Sequence, residues 1–314
     1  MIYTLTANPA IDMNITCTGL EPNRVTRTRD AVYTPNGKGL NVSFTLQRRG
    51  IDSTILGFFA GFTGRFIEEG AREQGCDVKP VWVDGITRVN VFLSDAGTGN
   101  EYTLPNAGAP VTHESQLEMY ELIESLDDME CLVISGSMPP GTDDDFLEQV
   151  ISRVKAKGAE FVLDISSPKL ADLAAEGPLL IKPNDDELRA IFGLDVSDDE
   201  SVAAAMRELS ARGVKNVLLT LGGAGGYFWN GEHLWSADPV KVKVLQTACA
   251  GDATLGSFLG VWHGRRAEAD QDAVVTEALT LAMATGANVV ECPGLGDFAH
   301  VEEYMSRVTV RKVL

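Results

Sequence analysis

The chain has 314 residues, 44% apolar and 23% charged, enough for one large α/β domain with an accessory piece or for two modest domains, and for a core that needs no covalent staples. Its 45 acidic and 26 basic residues give a formal charge of −19, which argues against nucleic acid and anionic membrane as partners. The same field repels small anions, so any phosphate site needs a local cluster of Lys, Arg or backbone N–H groups.

The amino terminus, MIYTLTANPAID, passes directly into a strand pattern (Ile2–Thr6) and an Asn-Pro turn. It has no basic region followed by an apolar one, so no signal peptide is expected, and no apolar run approaches a membrane span. Residues 12–34, rich in Thr, Val and Arg, alternate like exposed antiparallel strands. Gly39–Arg49 reads as a helix ending at Gly50, Ser53–Phe59 as a strand and Gly64–Gln74 as a helix. Thr87–Ser94 and Tyr102–Leu104 alternate again, and with 12–34 they predict a small sheet outside the main body.

Beyond residue 112 helices and strands alternate. Helices are expected at His113–Ser125, at Thr142–Lys157 with Thr142 as N-cap, at Asp198–Arg212, Gly251–Gly264 and Asp270–Val290. Strands are expected at Cys131–Ser135, Glu160–Asp164, Leu179–Lys182 and Asn216–Leu221. This order predicts βαβ units, a mostly parallel sheet covered on both faces, and ligands beyond the carboxyl ends of its strands. Cys17, Cys76, Cys131, Cys249 and Cys292 are odd in number and without C-x-x-C spacing, as expected of reduced thiols. His113, His233, His263 and His300 lack metal-ligand spacing and read as surface or loop residues. A cytoplasmic location is the default.

Three glycine-rich turns carry the candidate chemistry. Pro35-Asn36-Gly37-Lys38-Gly39-Leu40-Asn41 opens a helix, where free N–H groups favour anions; it reads equally as a plain turn and cap. Its spacing is not that of a Walker A loop. Leu221–Gly226 follows a strand and is either a hairpin turn or a phosphate contact. Thr247–Thr254 leads into an apolar helix. Asp252 there is either an ordinary amino-terminal cap or a general base, with the amides of Ala250, Gly251 and Asp252 as an anion hole. Phosphoryl transfer to an alcohol needs such an acid at such a place.

Seven motifs in order, TANPAID, NGKGLN, TRVNV, SGSMPPG, KPNDDEL, LGGAGG and AGD, resemble the ribokinase and phosphofructokinase-B family of carbohydrate kinases over nearly the whole chain. TANPAID, Asn23-Arg24, the Lys of NGKG and SGSMPPG are most similar to the branch of 1-phosphofructokinases and tagatose-6-phosphate kinases. The resemblance implies one ribokinase-like α/β domain over residues 1–314, with a discontinuous β-sheet lid from about 12–35 and 86–106. It implies Mg-ATP as cofactor and a homodimer through the lid. It assigns Asp12, Gly37, Lys38, Asn41, Arg88 and Ser137, with Arg24, to the sugar phosphate. It assigns Lys182, Asn184, Thr220, Gly222, Gly225 and Asn288 to ATP, Asn184 and Glu187 to Mg²⁺ through water, and Ala250, Gly251 and Asp252 to catalysis.

Two residues depart from the pattern: Cys249, where the family has Gly, and Asn36, where the branch has Gly. A positive φ at 249 would strain Cys249 by about 1 kcal/mol or more, and Asn36 stands where it can alter substrate choice. The expected reaction is fructose 1-phosphate to fructose 1,6-bisphosphate. Tagatose 6-phosphate and fructose 6-phosphate are the alternative substrates, and a non-catalytic sugar-phosphate sensor is the alternative of another class. A dinucleotide oxidoreductase fits less well, because no G-x-G-x-x-G follows the first strand.

Overall fold

The computed structural model describes all 314 residues. The strands in chain order are β1 (Ile2–Thr6), β2 (Ala10–Cys17), β3 (Arg29–Asn36), β4 (Ser53–Ala60), β5 (Asp77–Val83), β6 (Arg88–Asp95), β7 (Asn100–Leu104), β8 (Cys131–Ser135), β9 (Glu160–Asp164), β10 (Leu180–Ile181), β11 (Val217–Thr220), β12 (Gly226–Trp229), β13 (Leu234–Ala237) and β14 (Val310–Lys312). Ten form one sheet in the order β14-β13-β12-β11-β10-β9-β8-β1-β4-β5, and four form a small sheet in the order β3-β2-β6-β7. Pairing is parallel from β5 across to β11 and antiparallel from β11 to β14.

β1, β4 and β8 are buried at every position, which is why IYTLT, STILGFFA and CLVIS show little polar alternation. Strands covered on both faces have no solvent side to keep polar. Tyr3, Leu5, Leu132, Ile134, Phe161 and Leu163 enter one core, under helices His113–Glu124, Phe146–Ala156 and Asp199–Ala211. Their neighbours Ile2, Cys131, Val133 and Val162 enter the other, under helices Lys38–Gln47, Ala250–Arg265 and Gln271–Val290.

β1 lies between β4 and β8, where the winding reverses direction. A crevice opens at such a point beyond the carboxyl ends. The segments at the ends of β1, β8, β9, β10 and β11 bring Asn8, Ser137, Asp164, Lys182 and Thr220 to this edge.

The small sheet differs from expectation in one pairing. β2 runs antiparallel to β3 but parallel to β6, with Ala10 opposite Arg88 and Asp12 opposite Asn90. Both strands continue main-sheet strands of one direction, β1 and β5, through short turns, so they keep that direction.

Four other expectations are corrected. Thr142 caps no helix: its hydroxyl donates to Pro139 O at 2.7 Å, the amide of Asp143 is turned toward Gln116, and the helix begins at Phe146. β5 and β12–β14 were not expected; β5 contains Pro80, tolerated because this is an edge strand, and the others are only three or four residues long. His263 is a buried helical residue beside Glu160. Helix Gln271–Val290 is long and apolar enough to span a membrane by composition, but its Val274, Leu279 and Ala282 are buried in the second core.

The helix carrying Asp252 is anchored through aromatic packing. Phe228 of β12 is fully buried, with ring centroids 4.8 Å from Phe258, 5.3 Å from Trp262 and 5.9 Å from Trp235. Phe228→Ala is expected to cost about 3–5 kcal/mol, the range for an emptied aromatic site. Urea unfolding checks this; a loss below about 1 kcal/mol would mean the cluster does not hold that helix.

Candidate active site

Two cavities open side by side at the carboxyl edge of the large sheet. The smaller, about 590 Å³, is lined among others by Asn8, Gly37, Lys38, Arg88 and Ser137. The larger, about 940 Å³, takes in Asp12, Asn36, Lys182, Asn184, Glu187 and the turn at Gly222–Gly225, with Asp252 on its wall. Lys38 lines both cavities.

Asp252 sits in the first turn of helix Ala250–Arg265. The first backbone bond of that helix runs from Ala253 N to Cys249 O, so the amides of Ala250, Gly251 and Asp252 donate to no backbone acceptor. Three free N–H groups and the positive end of the helix dipole therefore face the larger cavity. A Cβ on Gly251 would lie 3.3 Å from Lys182 Nζ, so glycine admits the lysine closely here. Burial, then the nearby Asp164 carboxylate, push the Asp252 carboxyl up to about 7, against the opposing pull of Lys38, Asn41 and Lys182. A carboxylate so placed can accept a proton near neutral pH.

Lys38 and Lys182 converge on Asp164, whose Oδ1 is 3.3 Å and 3.2 Å from their Nζ atoms. Asp164 is almost wholly buried, and its Oδ2 has no hydrogen-bond partner. Burial alone would raise its pKa; Lys182 and then Lys38 outweigh that and hold it below the usual carboxylate range. Burial opposes the charge on Lys38, but Asp164, Asp252 and Glu187 prevail and raise its pKa, so it stays an ammonium group.

At the end under the small sheet, the Arg88 guanidinium donates to Asn8 O at 2.9 Å and to Asn106 O at 3.2 Å, while its buried Nε has no partner. A buried guanidinium N–H without an acceptor is costly, so this group suits an anionic ligand. Asp12 is buried and takes a 2.9 Å bond from Asn90 Nδ2 and another from Asn36 Nδ2. Desolvation raises its pKa, against Asn90, Arg88 and Asn36. Gly37, with φ 152°, allows no side chain: a Cβ would stand 2.6 Å from Thr6 Cγ2.

On the opposite side, Leu221–Gly225 forms the turn of the β11–β12 hairpin, as one reading of this glycine run expects, and its Gly222, Gly223 and Gly225 line the larger cavity. Asn184 and Glu187 close a capping box: Asn184 Oδ1 accepts from Glu187 N at 2.7 Å, and Glu187 Oε2 accepts from Asn184 N at 3.0 Å. No three His, Cys, Asp or Glu side chains form a metal-ligand array. This donor set fits a hydrated divalent cation that arrives on nucleotide phosphates rather than one caged by protein.

Three expected site residues lie elsewhere. Arg24 is highly exposed, paired with Glu21 at 2.9 Å, and lines a separate depression on the small sheet, because its loop turns away from the cleft. Asn288 is 1% exposed and holds the chain after its helix, its Oδ1 accepting from His300 N at 2.7 Å; Met283, Gly286, Ala287 and Val290 present that helix to the cavity instead. Asn41 stands behind the wall, 2% exposed, donating to Asp252 Oδ2 at 2.8 Å and Asn36 Oδ1 at 3.0 Å. The sequence reading missed Asp164, Asn8, Asn90 and the apolar wall Pro239–Val244. Only Asp164 had a usable signal, a carboxylate closing an apolar strand.

Cys249 has φ 65°, so the strain expected for a positive angle is present. Cys249→Gly should therefore be more stable than Cys249→Ala by about 1 kcal/mol, since both remove the thiol and only glycine relaxes the backbone. Paired thermal melts measure the gap; equal melting temperatures would show that the angle stores no strain.

The profile described as pfkB family carbohydrate kinase matches residues 6–301. The chain is 44% identical over 310 residues to a D-tagatose-1-phosphate kinase of Klebsiella oxytoca, covering 99% of both chains. It is 29% identical over 313 residues to the 1-phosphofructokinase of Bacillus subtilis, covering 100% of both. The crystal structure of phosphofructokinase-2 from Escherichia coli in complex with substrates and products superposes with a TM-score of 0.85 at 26% identity, over 98% of this chain and 99% of that one. The tagatose relative is named for the 1-phosphate, so the tagatose 6-phosphate expectation loses its support. A family match over nearly the whole length, full-length relatives and a ribokinase-like fold together make this chain a member of the PfkB family of carbohydrate kinases, phosphotransferases that use ATP to phosphorylate an alcohol group of a sugar or sugar phosphate.

Proposed function

We propose that the protein phosphorylates a ketohexose 1-phosphate at O6, with D-tagatose 1-phosphate as preferred substrate and D-fructose 1-phosphate as the weaker one. The reading rests on one observation: a buried carboxylate with free helix-start amides lines the cavity that holds the glycine turn, and that cavity meets at Lys38 a second one bearing Arg88. The preference for tagatose over the fructose 1-phosphate expected from sequence follows the higher identity to the Klebsiella oxytoca enzyme.

The sugar's phosphate lies against Arg88, Lys38 and Ser137, and Asp12 meets hydroxyls midway along the sugar. The nucleotide phosphates take the Gly222–Gly225 turn and Lys182, with the base against the apolar wall from Val240 to Val244. Asp252 takes the proton from O6 as O6 attacks the γ-phosphorus, the bond to the bridging oxygen breaks, and ADP leaves. The amides of residues 250–252 receive the charge growing on the phosphoryl oxygens. Mg²⁺ would be held near Asn184 and Glu187 through water and would offset phosphate charge.

The small sheet acts as a lid that excludes water. Its exposed Val32, Tyr33, Tyr102 and Leu104 support pairing of two copies into a homodimer through the lid. The intact base and amide cluster weigh against a non-catalytic sensor.

Asp252→Asn is expected to lower kcat at least about 100-fold with sugar binding retained, the scale of general-base help. Near-normal turnover would remove Asp252 as base. In the native enzyme, kcat/KM should rise with pH through an inflection near 7, because only the ionised carboxylate accepts the proton. The residual Asp252→Asn activity should lack this limb, while the ionisation of the substrate phosphate stays common to both. Identical profiles would contradict the assignment.

A further inference from the structure

Asn36 and Cys249, the two residues that stand out from the motif pattern the sequence resembles, are in contact. Asn36 Nδ2 lies 3.5 Å from Cys249 Sγ, and the same amide group donates to Asp12 Oδ2. Its Oδ1 accepts from the amide of Gly37 and from Asn41 Nδ2. Asn41 in turn donates to Asp252. A continuous chain of hydrogen bonds thus joins Asp12 to the catalytic carboxylate through Asn36 and Asn41. Asn36 and Cys249 both face the larger cavity, alongside Asp12 and Asp252.

Resting on the function proposed above, the position of this pair along the substrate follows from the substrate's own length. Its phosphate on C1 is held by Arg88 and Lys38, and its acceptor O6 is at Asp252. Carbons 3 and 4 must then lie between, against Asp12, Asn36 and Cys249. We infer that Asn36 and Cys249 form one wall that selects between ketohexose 1-phosphates epimeric at C4.

The selection works by withholding partners. A carboxamide has two N–H donors and two acceptor lone pairs, and all four of Asn36 are engaged. The thiol is held neutral by burial and by the Asp252 charge, and is a weak hydrogen-bonding group in any case. A C4 hydroxyl directed at Asp12 finds a carboxylate acceptor. The epimeric hydroxyl is directed at the wall, where it loses water and gains nothing, a cost that falls within the range known for an unpaired buried polar group. Asn36 is thus a positioning residue for Asp12, and Cys249 keeps its strained backbone because a side chain is needed there to close the wall. Glycine at either position opens the wall to water, which can solvate the misdirected hydroxyl.

The test is the ratio of kcat/KM for D-tagatose 1-phosphate to that for D-fructose 1-phosphate, measured in the native enzyme, N36G, C249G, the double variant and C249S, with thermal melts to confirm folding. Each glycine variant should lower the ratio at least about tenfold, the lower end of what one missing contact gives in specificity. The double variant should fall no further than the larger single effect, because the two side chains act as one wall. C249S, which keeps a side chain at position 249, should stay within about twofold of the native ratio. If N36G does not fold, C249G and C249S decide the question alone. An unchanged ratio in folded, active glycine variants would overturn the inference and leave the kinase reading intact. A native enzyme that turns over neither sugar would overturn the kinase reading itself, and with it this one.

Discussion

Two ammonium groups and two carboxylates converge where the two cavities meet, with Asp164, Lys182 and Asp252 buried and Lys38 partly exposed, and the rest of the site is arranged around them. Asp164 accepts from Lys38 and Lys182 through a single oxygen, which places both cations along the line joining the two cavities. Its charge also acts on Asp252, raising that carboxyl into the range where it can exchange a proton near neutrality. Water would screen both effects, so the burial of Asp164, Lys182 and Asp252 preserves them. Asp164 itself lines neither cavity, yet it holds the two cations that do.

This arrangement explains how a chain of charge −19 can serve anionic substrates. Arg88, Lys38 and Lys182 supply positive charge, but each lies near a carboxylate, so the cations alone do not reverse the field. The backbone completes the reversal. In the reaction proposed above, free amides at 250–252 and the turn at Gly222–Gly225 add fixed dipoles that need no counter-charge.

The fold was largely legible because buried parallel strands write themselves as short apolar runs, and because β8, β9 and β11 end at turns that sequence marks well. Edge strands were less legible: β12, β13 and β14 are too short to show a period, and Pro80 disguises β5. In the cleft, glycine turns and a helix start are local features that the sequence marks, and the structure brings them to one edge of the sheet. Asn90 acts through Asp12, 78 positions away on another strand, and nothing in its own neighbourhood signals that; Asp164 shows itself only as a carboxylate closing an apolar strand, with no local sign of its partner Lys38, 126 positions away. Asn41 was placed on the sugar by its motif, whereas its amide is turned behind the wall to hold Asp252.

The account stands on where the acceptor hydroxyl meets Asp252, and a crystal structure with a non-hydrolysable ATP analogue and D-tagatose 1-phosphate shows that most directly. The predicted result is O6 within about 2.6–3.2 Å of an Asp252 oxygen and in line with the γ-phosphorus, with the sugar's own phosphate on Arg88. A sugar bound with its phosphate at Asp252, or an Asp252 side chain turned out of the cleft in that complex, would contradict it.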